Sequence, residues 1–402
     1  MKKKVNPVRN SGRALNPVRD LSLSGINPTG IMLAEQRGII SNGVKALVLL
    51  SGGLDSMLAT KILMEQGIEV TGVSFISCFF GAAKAEKAAQ QLGIEFKKID
   101  FKKEHLEMVK NPASGYGKCL NPCIDCHALM IKKAGEYLTS QPPLLIRRGG
   151  GRGRGYDFIA TGEVLGQRPM SQNGGALERV KKLAGVEVLR PLSALLLPET
   201  EIEKNGLVDR KKLLDISGRT RGRQMELAKK YGLKNYPSPA GGCLLTDPAF
   251  SQRARQMIKN WPKCRPEDIE LLKYGRIFWL DTRKERINTK GTKLLPILVV
   301  VGRDKEDCEA LEKLARKGDI IMELEEVKGP LTVVRNPNVK IQMSNKIPIS
   351  NIQIPKEMDV SKLELEEIKT EEEILRLAGL LTGWYATKAR GKVVKLEVRI
   401  KK

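Results

Sequence analysis

Lys45-Ala46-Leu47-Val48-Leu49-Leu50-Ser51-Gly52-Gly53-Leu54-Asp55-Ser56 decides the fold. The first six residues are an apolar run short enough for one buried strand. The next six are small or polar and make a turn. Beyond them, residues 56–66 carry a helical pattern. Strand, glycine turn and helix in that order predict a loop at the carboxyl end of a strand, with free backbone N–H groups gathered at a helix start.

Reading outward, β-branched residues predict a second strand over 68–76, an Ala/Lys/Gln pattern a helix over 82–92, and Glu95–Asp100 a third strand. Strand, helix, strand, helix, strand is the order of a parallel sheet wrapped by helices. A further helix is expected over 124–138 and a strand over 156–161, which makes this part an α/β domain. The texture changes near residue 247. A basic helix at 250–258 and a linker near 262–266 lead to a helix at 266–273. Strands follow at 276–280, 297–301 and 320–324, with a helix at 305–316 between the last two. A helix over 371–381 and a strand over 393–400 close the pattern. The expected organisation is a low-complexity basic extension (1–43), the α/β domain (44–247) with an Arg/Gly-rich insert (141–155), a linker helix (248–265) and a smaller C-terminal α+β domain (266–402).

The chain has 402 residues, and 70 Lys and Arg against 46 Asp and Glu give a net charge of +24. Such an excess favours a polyanionic partner, nucleic acid first. No apolar run reaches the roughly 18 residues of a membrane span, and the initial lysines precede no apolar segment. The expectation is a cytoplasmic protein without a membrane partner. Seven cysteines in that setting argue for metal or thiol chemistry rather than disulfides. With two histidines, His105 and His127, a His-rich metal centre is excluded.

In the turn 51–56, Gly52 and Gly53 let the backbone approach an anion closely, and Ser51 and Ser56 add hydroxyl donors. Asp55 would repel a bare phosphate but can hold Mg2+ that bridges to one. No Gly-Lys-Ser/Thr follows, so this is not a Walker loop. Cys123-Ile124-Asp125-Cys126 opens a predicted helix, and Cys243 follows Gly241-Gly242 in a turn. Two cysteines suit a redox pair. Three suit an iron–sulfur cluster with one open iron. Zinc would need a fourth ligand, from Cys119 or His127. Cys78, Cys264 and Cys308 read as packing residues. The turn Thr161–Gln167 leaves a parallel strand on the side where such sheets bind ligands.

SGGLDS resembles the pyrophosphate-binding loop of the N-type ATP pyrophosphatase (PP-loop) superfamily, whose fold is adenine nucleotide alpha-hydrolase-like. With NPCIDC, ATGEVLGQ, VLRPL at 188–192 and the cysteine after Gly242, residues 44–245 resemble the catalytic domain of tRNA 4-thiouridine synthases, and NPCIDC also resembles tRNA 2-thiouridylases. That resemblance implies ATP-dependent tRNA thiolation with release of AMP and pyrophosphate. ATP and Mg2+ would sit at Ser51, Gly52, Gly53, Asp55 and Ser56, with Gly162 and Gln167 closing the nucleotide pocket. Cys126 and Cys243 would be catalytic with Asp55, and Cys123, Cys126 and Cys243 resemble the ligands of a [4Fe-4S] cluster. The partners implied are tRNA and a sulfur donor such as a cysteine desulfurase or sulfide. The sequence departs from the synthases in showing no THUMP domain ahead of the loop and no rhodanese-like cysteine loop. The C-terminal stretches Lys273–Arg276 and Val301–Arg303 resemble the RNA-binding R domain of NFACT proteins. Two other readings stay open: an amidating or amine-ligating enzyme that uses ATP, and a non-catalytic RNA-binding protein with a nucleotide fold.

Overall fold

The computed structural model describes residues 43–140, 155–238, 242–280, 295–337, 351–363 and 370–401. The expected extension and the Arg/Gly insert, apart from Gly43 and Gly155, lie outside the described residues.

The first sheet is parallel throughout, with strand order β3-β2-β1-β4. Its strands are β1 (Lys45–Leu49), β2 (Glu69–Ile76), β3 (Glu95–Asp100) and β4 (Phe158–Thr161). Helices α1 (Leu54–Met64), α2 (Ala83–Leu92), α3 (Lys102–Lys110) and α4 (Cys123–Ser140) fall between them. Leu47 and Val48 on β1 are both fully buried, each inside a different apolar cluster. That is why β1 reads as an unbroken apolar run instead of alternating. Strand order reverses between β1 and β4, and at such a switch point the turns after the two strands diverge and leave a crevice. The turns at 51–56 and 162–167 both open there.

After β4 come α5 (Gly174–Ala184), α6 (Glu201–Lys204), α7 (Gly222–Lys230), α8 (Pro248–Asn260) and α9 (Pro266–Leu271). The segment expected to link the domains is α8, and its Phe250, Ala254 and Met257 are buried. They share one core with Phe79 and Leu106 on the first-sheet side and with Leu298 and Val300 of the second sheet.

The second sheet is antiparallel, in the order β5-β6-β8-β7-β10-β9. It is formed by β5 (Arg276–Leu280), β6 (Ile297–Val301), β7 (Ile320–Leu324), β8 (Thr332–Arg335), β9 (Asn351–Gln353) and β10 (Val393–Ile400). Helix α10 (Lys305–Leu314) precedes β7, and α11 (Val360–Leu363) and α12 (Glu371–Tyr385) precede β10. Every residue of β6 is buried, because Leu298 and Val300 face the core shared with α8 while Ile297, Val299 and Val301 face α12. The molecule is thus an adenine nucleotide alpha-hydrolase-like α/β domain followed by a separate antiparallel-sheet domain. Among the described residues no helix is long and apolar enough to cross a membrane.

His105 on α3 is one of the core residues. Its ring stacks on Phe101 with centroids 4.8 Å apart, and Nδ1 lies 2.6 Å from Ser77 Oγ. Burial pushes its pKa down to about 4. The unfolded chain takes up a proton below pH ~6.5 that the folded protein refuses until about pH 4. Stability from this residue is therefore full above that window and is lost as pH falls through it. Urea unfolding at pH 7 and pH 4.5 should show a loss of about 2–3 kcal/mol from this source. His105→Leu should shrink that loss, and an unchanged loss would refute the assignment.

Candidate active site

Turn 51–56 is tied up by its own hydroxyls. Gly53 N–H donates to Ser51 Oγ at 3.2 Å, Ser56 Oγ donates to Gly53 O at 2.9 Å, and the two Oγ atoms lie 3.2 Å apart. Gly52 has φ +80°, and a Cβ there would lie 2.4 Å from the carbonyl carbon of Lys84 at the start of α2. A Cβ on Gly162 would lie 2.5 Å from Ser56 N in the first turn of α1. The turn is thus held from two sides by backbone, with glycine required on each. Among the described residues no side chain caps the N-terminus of α1, which leaves its amides toward the crevice.

Asp55 stands in the first turn of α1. Its Oδ2 accepts from Gln167 Nε2 at 3.1 Å, while Oδ1 is buried and has no hydrogen-bond partner among the described residues. A buried carboxylate oxygen left open suits a hard cation, so the residues present fit Mg2+.

The turn that brings Gln167 to Asp55 continues to the cysteines. It is closed by Gly166 N–H donating to Gln172 O at 2.7 Å and by Gln172 N–H donating to Arg168 O at 2.8 Å. Cys123, the first residue of α4, has a thiol pushed up by burial, while Arg168 and hydrogen bonds to the Asn121 and Ser171 side chains pull it down. Burial pushes the Cys126 thiol well up, and the nearby Cys243, Cys123 and Asp125 add to that. Cys243 is raised to about 11, by burial first and by Cys123 after it, against a hydrogen bond from the Leu245 backbone. The three cysteines therefore share one neighbourhood, and burial favours the thiol over the thiolate in each. Among the described residues, however, no three Cys, His, Asp or Glu side chains are grouped so as to hold a metal ion. Cys78 and Cys264 are core residues, and Cys308 packs against the same core.

Three charged residues were not singled out by motif. Glu163, in the turn after β4, is buried and accepts from Arg190 Nε at 2.9 Å and from Thr161 Oγ1 at 3.2 Å. His127 Nδ1 lies 2.6 Å from its other oxygen. His127 stands one turn beyond Cys123 on α4, so this network fixes the helix that carries the cysteines against β4. Burial alone would raise the Glu163 carboxyl, but His127 and Arg190 outweigh it and hold it at about 2. The signal was present in Val188-Leu189-Arg190-Pro191-Leu192: an arginine among apolar residues must find an anion. The second omission is Arg221, which precedes α7 and has Nη2 3.9 Å from Asp55 Oδ1.

Residues 44–141 match the family model described as the tRNA methyl transferase HUP domain. This segment is similar to HUP domains. The tRNA-specific 2-thiouridylase MnmA of Geotalea uraniireducens is 27% identical over 216 residues, covering 47% of the chain and 50% of that protein. The MnmA of Syntrophomonas wolfei is 35% identical over 100 residues, 23% of the chain and 30% of that protein. A solved 4-thiouridine synthetase–RNA complex with bound ATP is 19% identical with a TM-score of 0.31, over 57% of the chain and 54% of that structure. The chain thus spans half or less of the curated relatives it matches. For the HUP segment, the resemblance to PP-loop tRNA-thiolation domains drawn from the sequence stands.

Proposed function

We propose that this protein is an ATP-dependent tRNA sulfurtransferase that activates a uridine carbonyl by adenylation and replaces its oxygen with sulfur. One observation carries the reading: the turn 166–172 reaches the nucleotide loop through Gln167 and Cys123, the first of the three cysteines, through Arg168 and Ser171. Activation and sulfur delivery need adjacent sites, and a single piece of chain joins them.

The amides of turn 51–56 and the start of α1 would bind the leaving pyrophosphate, with the helix dipole behind them. Mg2+ held by Asp55 would supply further positive charge against that group. Gly162 lets β4 approach α1 closely and so fixes the wall of the nucleotide pocket. Adenylation turns a poor leaving oxygen into AMP. Sulfur arrives as a persulfide on Cys243, loaded by an external donor. Its outer sulfur attacks the activated carbon, and AMP leaves with the carbonyl oxygen. Cys126 then attacks Cys243 Sγ; the persulfide S–S bond breaks, sulfur stays on the base, and a Cys126–Cys243 disulfide remains for a reductant to reopen. Burial keeps both thiols protonated until substrate enters, which protects them from oxidation. The tRNA backbone would be held by the positive excess of +24, with Arg303, Lys388 and Arg390 of the second domain among the exposed contributors.

Cys243→Ala tests this reading. The variant should still release AMP and pyrophosphate in the presence of tRNA but should form no thionucleoside, as read by nucleoside analysis. Normal thionucleoside formation would overturn the role of Cys243. ATP splitting with a nitrogen donor consumed in place of sulfur would favour an amine-ligating enzyme.

A further inference from the structure

Helices α1 and α7 run side by side in the same direction. Arg221 meets Asp55 at their N-terminal ends, and at the other end Tyr231 Oη donates to Glu65 Oε2 at 2.6 Å. The chain entering α7 is held in place, because Gly218 N–H donates to Leu165 O at 2.8 Å, within the same turn that carries Gln167. The start of α7 is therefore a fixed part of the crevice wall.

Its polar groups are incomplete. At 3.9 Å, Arg221 Nη2 is near enough to Asp55 Oδ1 for attraction but too far for a hydrogen bond. Arg221 Nε is buried with no hydrogen-bond partner among the described residues, as is Asp55 Oδ1. Gln224, three residues on and on the same face of α7, is fully buried, and neither its Oε1 nor its Nε2 is paired there. Buried polar groups left open in this way are costly unless something completes them. The chemistry of the set identifies that group. A guanidinium whose Nε is unpaired and whose Nη2 makes only a long ion pair to Asp55 presents the fork that binds a phosphate through two parallel hydrogen bonds. Asp55, turning to a cation, would release it.

We propose that Arg221 is a phosphate-binding residue of this site and contacts the β- or γ-phosphate of a nucleoside triphosphate, so that the crevice distinguishes ATP from AMP. The proposal rests on reading turn 51–56 as a nucleotide loop. Arg221, just ahead of α7, then stands beside Asp55 at the start of α1 and within reach of the polyphosphate.

The test measures dissociation constants of the full chain, with Mg2+, for ATP, AMP and inorganic pyrophosphate. Arg221→Ala should weaken ATP and pyrophosphate about 10- to 100-fold, the range for a lost hydrogen bond to a charged group. AMP binding should change less than about twofold, because AMP lacks the phosphates involved. Arg221→Lys should recover part of the ATP affinity and less of the difference between ATP and AMP. Equal ATP binding by wild type and Arg221→Ala overturns the proposal. A parallel loss of AMP and ATP affinity also overturns it, since that is the result of a purely structural latch on Asp55. Wild-type protein that binds none of the three ligands overturns the nucleotide reading, and the proposal with it.

Discussion

Gly162→Ala is expected to lower ATP-dependent AMP formation about 100-fold, the scale for a displacement of about 1 Å among reacting groups. The added methyl would lie 2.5 Å from Ser56 N and 2.6 Å from both Asp55 C and Ser56 Cα. All three are backbone atoms in the first turn of α1, so no side chain can swing aside. Either β4 or α1 must shift, and both outcomes re-aim the amides of turn 51–56 and move Asp55. Overpacking of this kind should also cost about 1–3 kcal/mol of stability. Gly52→Ala should behave similarly, since its Cβ would strike the Lys84 backbone and its φ of +80° disfavours any side chain. Gly53→Ala supplies the contrast. Its Cβ would meet only Ser51 Oγ, at 3.4 Å, and its φ of −82° is ordinary. This variant should fold about as stably as wild type. If Gly162→Ala and Gly53→Ala prove equally stable, the turn is not held in the way its packing implies. The measurements are pyrophosphate release in the presence of tRNA and thermal unfolding of each variant.

This contrast also shows how far the sequence could be read. The run KALVLL followed by SGGLDS reveals a strand, a turn and a helix, because burial on both faces and a helix start each leave a local mark. The same holds for Ile297–Val301, whose unbroken apolar run reflects cover on both sides of the second sheet. Which of the two glycines is indispensable is not local information. Gly52 meets Lys84, and the constraint on Ser56 comes from Gly162, over a hundred residues away. Helix α7 went unrecognised for a related reason. Its stretch Gly222–Lys230 buries only Gln224 and Ala228, so it lacks the apolar face from which a helix is read. β8 and β9 are four and three residues long and carry no period of their own. They become strands only through their neighbours. The cysteines divide in the same way. The CxxC spacing and the glycine turn before Cys243 are visible in sequence, whereas the grouping that decides between a thiol pair and a cluster is three-dimensional.

Glu163→Ala is expected to destabilise the protein by about 3–5 kcal/mol, because it leaves the guanidinium of Arg190 buried without its anion. Arg190 is 7% exposed and its other hydrogen bond runs to the Leu177 carbonyl at 3.4 Å, which is too weak to offset a full charge. Glu163→Gln should cost nearly as much, since it keeps the shape and removes the charge. Titration gives an independent check. The folded carboxyl sits at about 2, against 4.5 in the open chain. A lowered carboxyl contributes stability that is complete above about pH 4.5 and is lost as pH falls toward 2, because the unfolded chain binds the proton first. The acid loss of wild type in that window should therefore be reduced in Glu163→Gln, which has nothing there to protonate. Replacing Glu163 and Arg190 together by leucine removes both charges and should recover much of the stability. It would not recover the hold on His127, and through His127 on the helix that begins at Cys123. If the double variant is as stable as wild type yet forms no thionucleoside, the network serves to place the thiols. If it is fully active, the network serves the fold alone.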